Sequence, residues 1–160
     1  MKKSNIVYSI IFVGIILITS CSSDDVLTSI DVNNTAQLVN TVGAGSWHIT
    51  YYNDSGKDET INFKGYQFTF NSDGSLLATN STVSINGKWS ISNDRSNDYD
   101  DDSGHDDNDD IDFNISFLSP RIFEDLSDDW DIVFASGTQI KLKDGSLGDG
   151  DIDFLTFEKF

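Results

Sequence analysis

The chain has 160 residues and carries 27 acidic residues against 10 basic ones, a formal charge of −17 at neutral pH. Such a surface repels nucleic acid and anionic lipid and favours cations or basic partners, while the length suits one domain with a proper core. The single cysteine excludes an internal disulfide and any cluster of thiolate ligands.

Lys2 and Lys3 precede an apolar run over residues 6–18, interrupted only by Ser9 and Gly14. A short basic region before a run of this length predicts a secretory signal, because the run is short for a membrane span. The competing reading is a transmembrane anchor with an incidental cysteine. Ile18-Thr19-Ser20-Cys21 resembles the lipobox of bacterial lipoproteins. That resemblance implies removal of residues 1–20 as a lipoprotein signal peptide and acylation of Cys21 as the new first residue. Ser22-Ser23-Asp24-Asp25 is similar to the export signal that carries lipoproteins of the Bacteroidota to the outer face of the outer membrane. The implied location is therefore the outer membrane, lipid-anchored through Cys21. Exposure at the cell surface stands against an ordinary solvated tether on the periplasmic side. Each buried acyl methylene contributes about 0.8 kcal/mol, so several chains hold firmly. Loss of Lys2 and Lys3 leaves 8 basic and 27 acidic residues, a formal charge of −19.

Residues 21–44 read as a polar tether followed by a short helix. Asn33 or Asn34 can cap a helix over residues 35–42, with Leu38, Val39 and Val42 on one side and Gly43 ending it. From residue 45 to 160 the pattern has period two. Trp47, Ile49 and Tyr51 alternate with polar partners, as do Tyr66, Phe68 and Phe70. Asn71-Ser72-Asp73-Gly74 predicts a tight turn, and Asn86-Gly87 predicts another, with Trp89 and Ile91 beyond it. An acidic insertion over residues 93–110 interrupts the rhythm. Ile111, Phe113, Ile115 and Phe117 then share one face of a strand. A helical or irregular stretch carries Ile122, Phe123 and Leu126 inward. Trp130, Ile132 and Phe134 form the next strand, and Ile140 and Leu142 return after a turn at Ser136-Gly137. In the last strand Ile152 and Phe154 fall on one parity, Leu155 and Phe157 on the other, which predicts a bulge or burial on both faces.

About eight short strands joined by hairpin-length turns describe an all-β antiparallel meander. Closure into a barrel hides its two edges, and a two-sheet β-sandwich is the alternative. Several segments add a resemblance. Gly45-Ser46-Trp47 looks like the opening strand of lipocalin-like domains. Residues 66–75 resemble a hairpin of lipocalin-like lipoproteins of Bacteroidota, and Trp130-Asp131-Ile132 with Ile140-Lys141-Leu142 is similar to their late hairpin. Leu155-Thr156-Phe157-Glu158-Lys159 matches their closing strand. The resemblance implies a meander barrel over residues 45–160, and the acidic insertion departs from it.

Two places could carry chemistry. Trp47, Tyr51, Phe68, Phe70, Trp89, Phe113, Trp130 and Phe134 share the expected inward face, where they would line a cavity for a small apolar ligand. The equally natural reading is a core that these side chains simply fill. Asp98, Asp100, Asp102, Asp106, Asn108 and Asp110 carry the alternating oxygen spacing that calcium ligands use, but Ser103 and Ile111 stand where the loop needs glycine. The alternative is a solvated loop extended by its own charge. Catalysis finds little support, since no nucleophile elbow, phosphate-cradling loop or zinc motif appears. No cofactor is required on this reading, and the protein partner is unknown. The expectation is a lipid-anchored, non-enzymatic envelope protein that binds a small apolar ligand. The alternative is a structural or interaction subunit with a filled barrel, acting through acidic, calcium-binding loops.

Overall fold

The computed structural model describes residues 29–31, 34–93, 111–145 and 152–160. Cys21 and the six oxygen-bearing residues of the acidic insertion lie outside them, as does most of the Gly/Asp-rich loop before the last strand. The described chain runs α1 (Thr35–Gly43), β1 (Ser46–Asp54), β2 (Lys57–Asp58), a 3-10 turn (Thr60–Phe63), β3 (Gln67–Phe70), β4 (Ser75–Thr79) and β5 (Ser84–Asn93). It continues through β6 (Ile111–Phe117), α2 (Arg121–Glu124), β7 (Asp129–Ala135), β8 (Gln139–Asp144) and β9 (Asp153–Lys159).

Every pairing is antiparallel between strands adjacent in sequence, apart from two that involve β1. This first strand pairs with both β3 and β9, so the sheet closes on itself and no sandwich forms. Eight strands make the barrel, and β2 folds back on the far end of β1 as an extra strand. Closure leaves the barrel strands little free edge, which is how a meander this long escapes edge-to-edge association.

Both ends are stoppered. At one end, the Asn34 side chain accepts a hydrogen bond from the Gln37 N–H at 3.1 Å and starts α1. Leu38 and Val42 of that helix are buried, and Val42 joins the barrel core. Ile30 donates its N–H to the Ala135 carbonyl at 2.8 Å, and Ser29 bridges to Ser136. The barrel therefore packs against α1, the short helix expected ahead of residue 45, and is contacted by residues 29–31, which the sequence reads as tether. Composition hid this, because a short polar segment ordered by two backbone contacts looks like any linker. At the other end, Phe63 of the 3-10 turn and Phe123 and Leu126 around α2 are buried. Ile122, expected inward, is 39% exposed, since a single helical turn can bury only one side.

One turn assignment changes. Asn86-Gly87 lies inside β5, with Gly87 between Leu76 of β4 and Phe117 of β6. The hairpin turn falls earlier, where the Asn80 side-chain oxygen accepts from the N–H groups of Thr82 and Val83 at 2.9 and 2.8 Å. Gly74 does occupy the turn expected of it, with φ +81°. In β9 there is neither a register shift against β8 nor burial on both faces. Leu155 and Phe157 point in, and Ile152 and Phe154 are exposed.

Candidate functional site

Six of the eight residues expected to line a cavity do meet inside the barrel: Trp47, Phe68, Phe70, Trp89, Phe113 and Trp130 are buried in one cluster. Phe70, Trp89 and Phe113 touch one another, and Phe68 touches Phe123 and Phe157. Phe70 packs edge-on against Trp89, Phe113 and Phe157 with ring centroids 5.3–5.5 Å apart. Phe123 sits 5.1 Å from both Tyr66 and Phe117 and 5.5 Å from Phe63. These are contact distances for aromatic rings. Displacing one such ring into water costs about 1.5–3 kcal/mol, so the interior opposes a guest.

The interior's polar handles are engaged as well. The indole N–H of Trp47 donates to the Val42 carbonyl at 2.8 Å, that of Trp89 to Asn71 at 2.8 Å, and that of Trp130 to Leu126 at 3.1 Å. The Tyr52 hydroxyl donates to the Asp125 carbonyl. Each bond ties the core to a turn or helix end that stoppers the barrel. Burial, with Asp54 and Asp125 nearby, pushes the Tyr52 hydroxyl well above its ordinary pKa, so it stays a donor.

Tyr51 and Phe134 are corrections. The β1–β9 register jumps between Ile49 and Tyr51, leaving Thr50 as an extra residue, so Tyr52 turns inward and Tyr51 is 41% exposed. In β7 the register jumps between Ile132 and Phe134. Phe134 therefore faces outward beneath the Lys141 ammonium, 5.9 Å from its ring centroid. A bulge flips the parity of all that follows, and alternation in sequence does not announce one. Of the core aromatics left off the expected lining, Phe157 shares the parity of Leu155 and could have been found. Phe63 and Phe123 sit in non-strand segments, where period two says nothing.

The wall itself offers a second place. After pairing at Ser46 and Trp47, β1 parts from β3, and the 3-10 turn fills part of the gap. A cleft of about 560 Å³ remains, lined by His48, Ile49, Thr50, Asp58, Thr60, Ile61, Phe63, Lys64 and Gly65. Ile49 and Phe63 belong to the core and form its floor, while Ile61 stands 71% exposed on its rim. The Thr60 hydroxyl, together with the Thr60 N–H that donates to Asp58 at 3.0 Å, holds the Asp58 carboxyl below the ordinary range. The Thr60 hydroxyl accepts from the Tyr52 N–H at 2.9 Å. Among the described residues Lys57 pairs with Glu59 and Lys143 with Asp131 at 3.0 Å, while Lys64, like Lys88, Arg121, Lys141 and Lys159, forms no ion pair. His48 is half-buried against Phe160, with ring centroids 4.7 Å apart. Its Nδ1 is buried without a hydrogen-bond partner among the described residues.

Among the described residues, no three His, Cys, Asp or Glu side chains converge as a metal site would require. Asp128 stands out electrostatically. Partial burial of its carboxyl, with the acidic side chains of Asp129 and Asp144 beside it, pushes it up to about 6. The fold and its packing define a closed, eight-stranded antiparallel β-barrel with an aromatic interior. No protein-family model and no curated protein matches the chain.

Proposed function

We propose that this chain is a lipid-anchored, non-enzymatic lipoprotein of a bacterial outer membrane, whose lipocalin-like barrel is a filled scaffold that binds through its surface. One observation carries the second half of this reading: the interior aromatics pack on one another and spend their polar groups on the barrel's own stoppers. A small apolar ligand then meets the outside of the barrel and not its lumen. The anchor rests on the Ile18-Thr19-Ser20-Cys21 pattern behind its basic and apolar leader. The acidic insertion, with calcium as the cation its spacing would suit, is a further surface element of the same reading.

Native mass spectrometry of the protein purified from its own host tests the scaffold. The expected spectrum shows no small molecule that quenches tryptophan fluorescence, because all three indoles lie inside the packed core. A retained apolar molecule that quenches them would return the ligand to the lumen. Replacing Cys21 with Ala tests the anchor. The expected result is loss of the acylated, membrane-retained form; a processed variant still held in the membrane would sink it.

A further inference from the structure

We propose that the outer wall formed by β7, β8, β9 and β1 is a docking face for lipid, which lays the barrel on its side against the zwitterionic phospholipid surface that holds its anchor. This rests on the anchor at Cys21 proposed above. Among the described residues, three large apolar side chains are held out in solvent by strands. They are Tyr51, Val133 and Phe154, and all lie on this wall. The register gathers them. Tyr51 stands opposite Thr156, Thr156 opposite Lys141 and Lys141 opposite Phe134, one row across four strands. Phe154 lies opposite Lys143 on the same face. The two bulges expose this set, since without the extra residues Thr50 and Val133 the rings of Tyr51 and Phe134 would point into the core. The opposite wall, β3 to β6, turns out mainly hydroxyls and amides, among them Gln67, Thr69, Asn86, Ser90, Asn114 and Ser116.

What covers this wall follows from where the tether meets it and from charge. Ser29 bridges to Ser136 and Ile30 donates to the Ala135 carbonyl, so the tether reaches the barrel at the end of β7, on the edge of the wall. Ser29 follows Cys21 by eight residues, a reach of at most about 28 Å at full extension. So short a link keeps the wall at a high effective concentration beside the membrane, and a weak contact suffices. Aromatic rings with polar tips and lysines on apolar stems settle at a bilayer interface, with ring or stem toward the acyl chains and the head at the phosphates. Tyr51 has this form, as does Lys141, whose ammonium lies 5.9 Å from the centroid of the Phe134 ring. The carboxylates within the wall are engaged: Asp131 pairs with Lys143 at 3.0 Å, and Glu158 accepts from the Gln139 amide at 2.8 Å. Asp129, Asp144 and Asp153 stand at the end away from the tether. The acidic insertion leaves the barrel from β5 and β6 on the opposite wall, so docking carries its two ends away from the surface. A second copy is the poorer occupant, because each copy brings a formal charge of −17, and the same charge selects zwitterionic over anionic lipid.

The test uses the full-length chain, carrying a solvent-sensitive dye on Val133→Cys or on Asn86→Cys and floated with phosphatidylcholine vesicles. Val133 is exposed on the docking wall and Asn86 on the opposite one. With Cys21 acylated, the introduced thiol is the one that takes the dye. The expected result is blue-shifted emission and several-fold weaker quenching by iodide at Val133→Cys, with the dye on Asn86→Cys open to iodide. Tyr51→Asp together with Phe154→Asp returns the Val133→Cys dye to water, since two new charges hold the wall off the acyl chains. Both positions are exposed, and an unchanged melting temperature shows that the barrel is intact. Ser90→Asp, exposed on the opposite wall, leaves the shielding as it was. Equal access of iodide to both dyes in floated protein overturns the docking face and leaves the anchor standing. Protein that does not float with the vesicles overturns the anchor, and the docked orientation with it. Shielding that vanishes as the protein is diluted into excess lipid assigns the wall to a second copy and overturns lipid as its occupant.

Discussion

Tyr51 and Tyr52 are neighbours of the same residue type, yet the extra residue at Thr50 gives one to solvent and the other to the core. Replacing Tyr52 with Ala removes a buried ring and its hydrogen bond to Asp125, and should cost about 3–5 kcal/mol. Tyr51→Ala should stay within about 1 kcal/mol, as surface changes do. Chemical denaturation of the pair reads the difference directly, and equal losses would place the bulge elsewhere. Asp128 gives a pH-dependent case. Its folded pKa of about 6 lies above the ordinary carboxylate value of about 3.9, so the folded state binds the extra proton between these values. Its carboxyl therefore carries no penalty below about pH 4, where it is protonated in both states; stability falls as pH rises to about 6, and the penalty is fullest above that. Asp128→Asn should raise the melting temperature near about pH 8 and leave it nearly unchanged near about pH 4. An equal shift at both would assign the effect to packing. None of this was legible beforehand, because burial and neighbours set a carboxyl's pKa and neither is written in a run of aspartates.

At the scale of elements, period two identified the barrel strands well wherever one face is buried, as in β6, where Ile111, Phe113, Ile115 and Phe117 all point in. It failed where a turn signal sat inside a strand. Asn86-Gly87 has the composition of a hairpin turn, but Gly87 is needed for close approach: a Cβ there would meet the Phe117 ring at 2.7 Å and the Ser116 carbonyl oxygen at 2.8 Å. Gly87→Val should destabilise the protein by about 1–3 kcal/mol through overpacking. Restoration of stability by a second change, Phe117→Leu, would identify the ring as the obstacle; no rescue would point to the backbone oxygen. The candidate site shares this limit. Its cleft is made by β1 parting from β3, and strand divergence has no composition of its own. His48 and Lys64 were readable as residues but not as neighbours.

On the scale of the whole molecule, charge and closure act against each other. The chain bears a formal charge of −17, so compaction brings like charges together. Raising sodium chloride from about 10 to 150 mM shortens the screening length from about 30 to 8 Å. The melting temperature should therefore rise; a fall would mean that local ion pairs such as Lys143 with Asp131 outweigh the general repulsion. The sequence alone determined the charge, the antiparallel strands and the aromatic face, because residue type and period two are local properties that each segment carries with it. Only the tertiary structure decided that the meander closes through β1 and β9, that two bulges reverse the facing of Tyr51 and Phe134, and that Phe70, Trp89 and Phe113 meet ring on ring. Those are matters of how distant segments share one volume, and no local pattern encodes the space left between side chains.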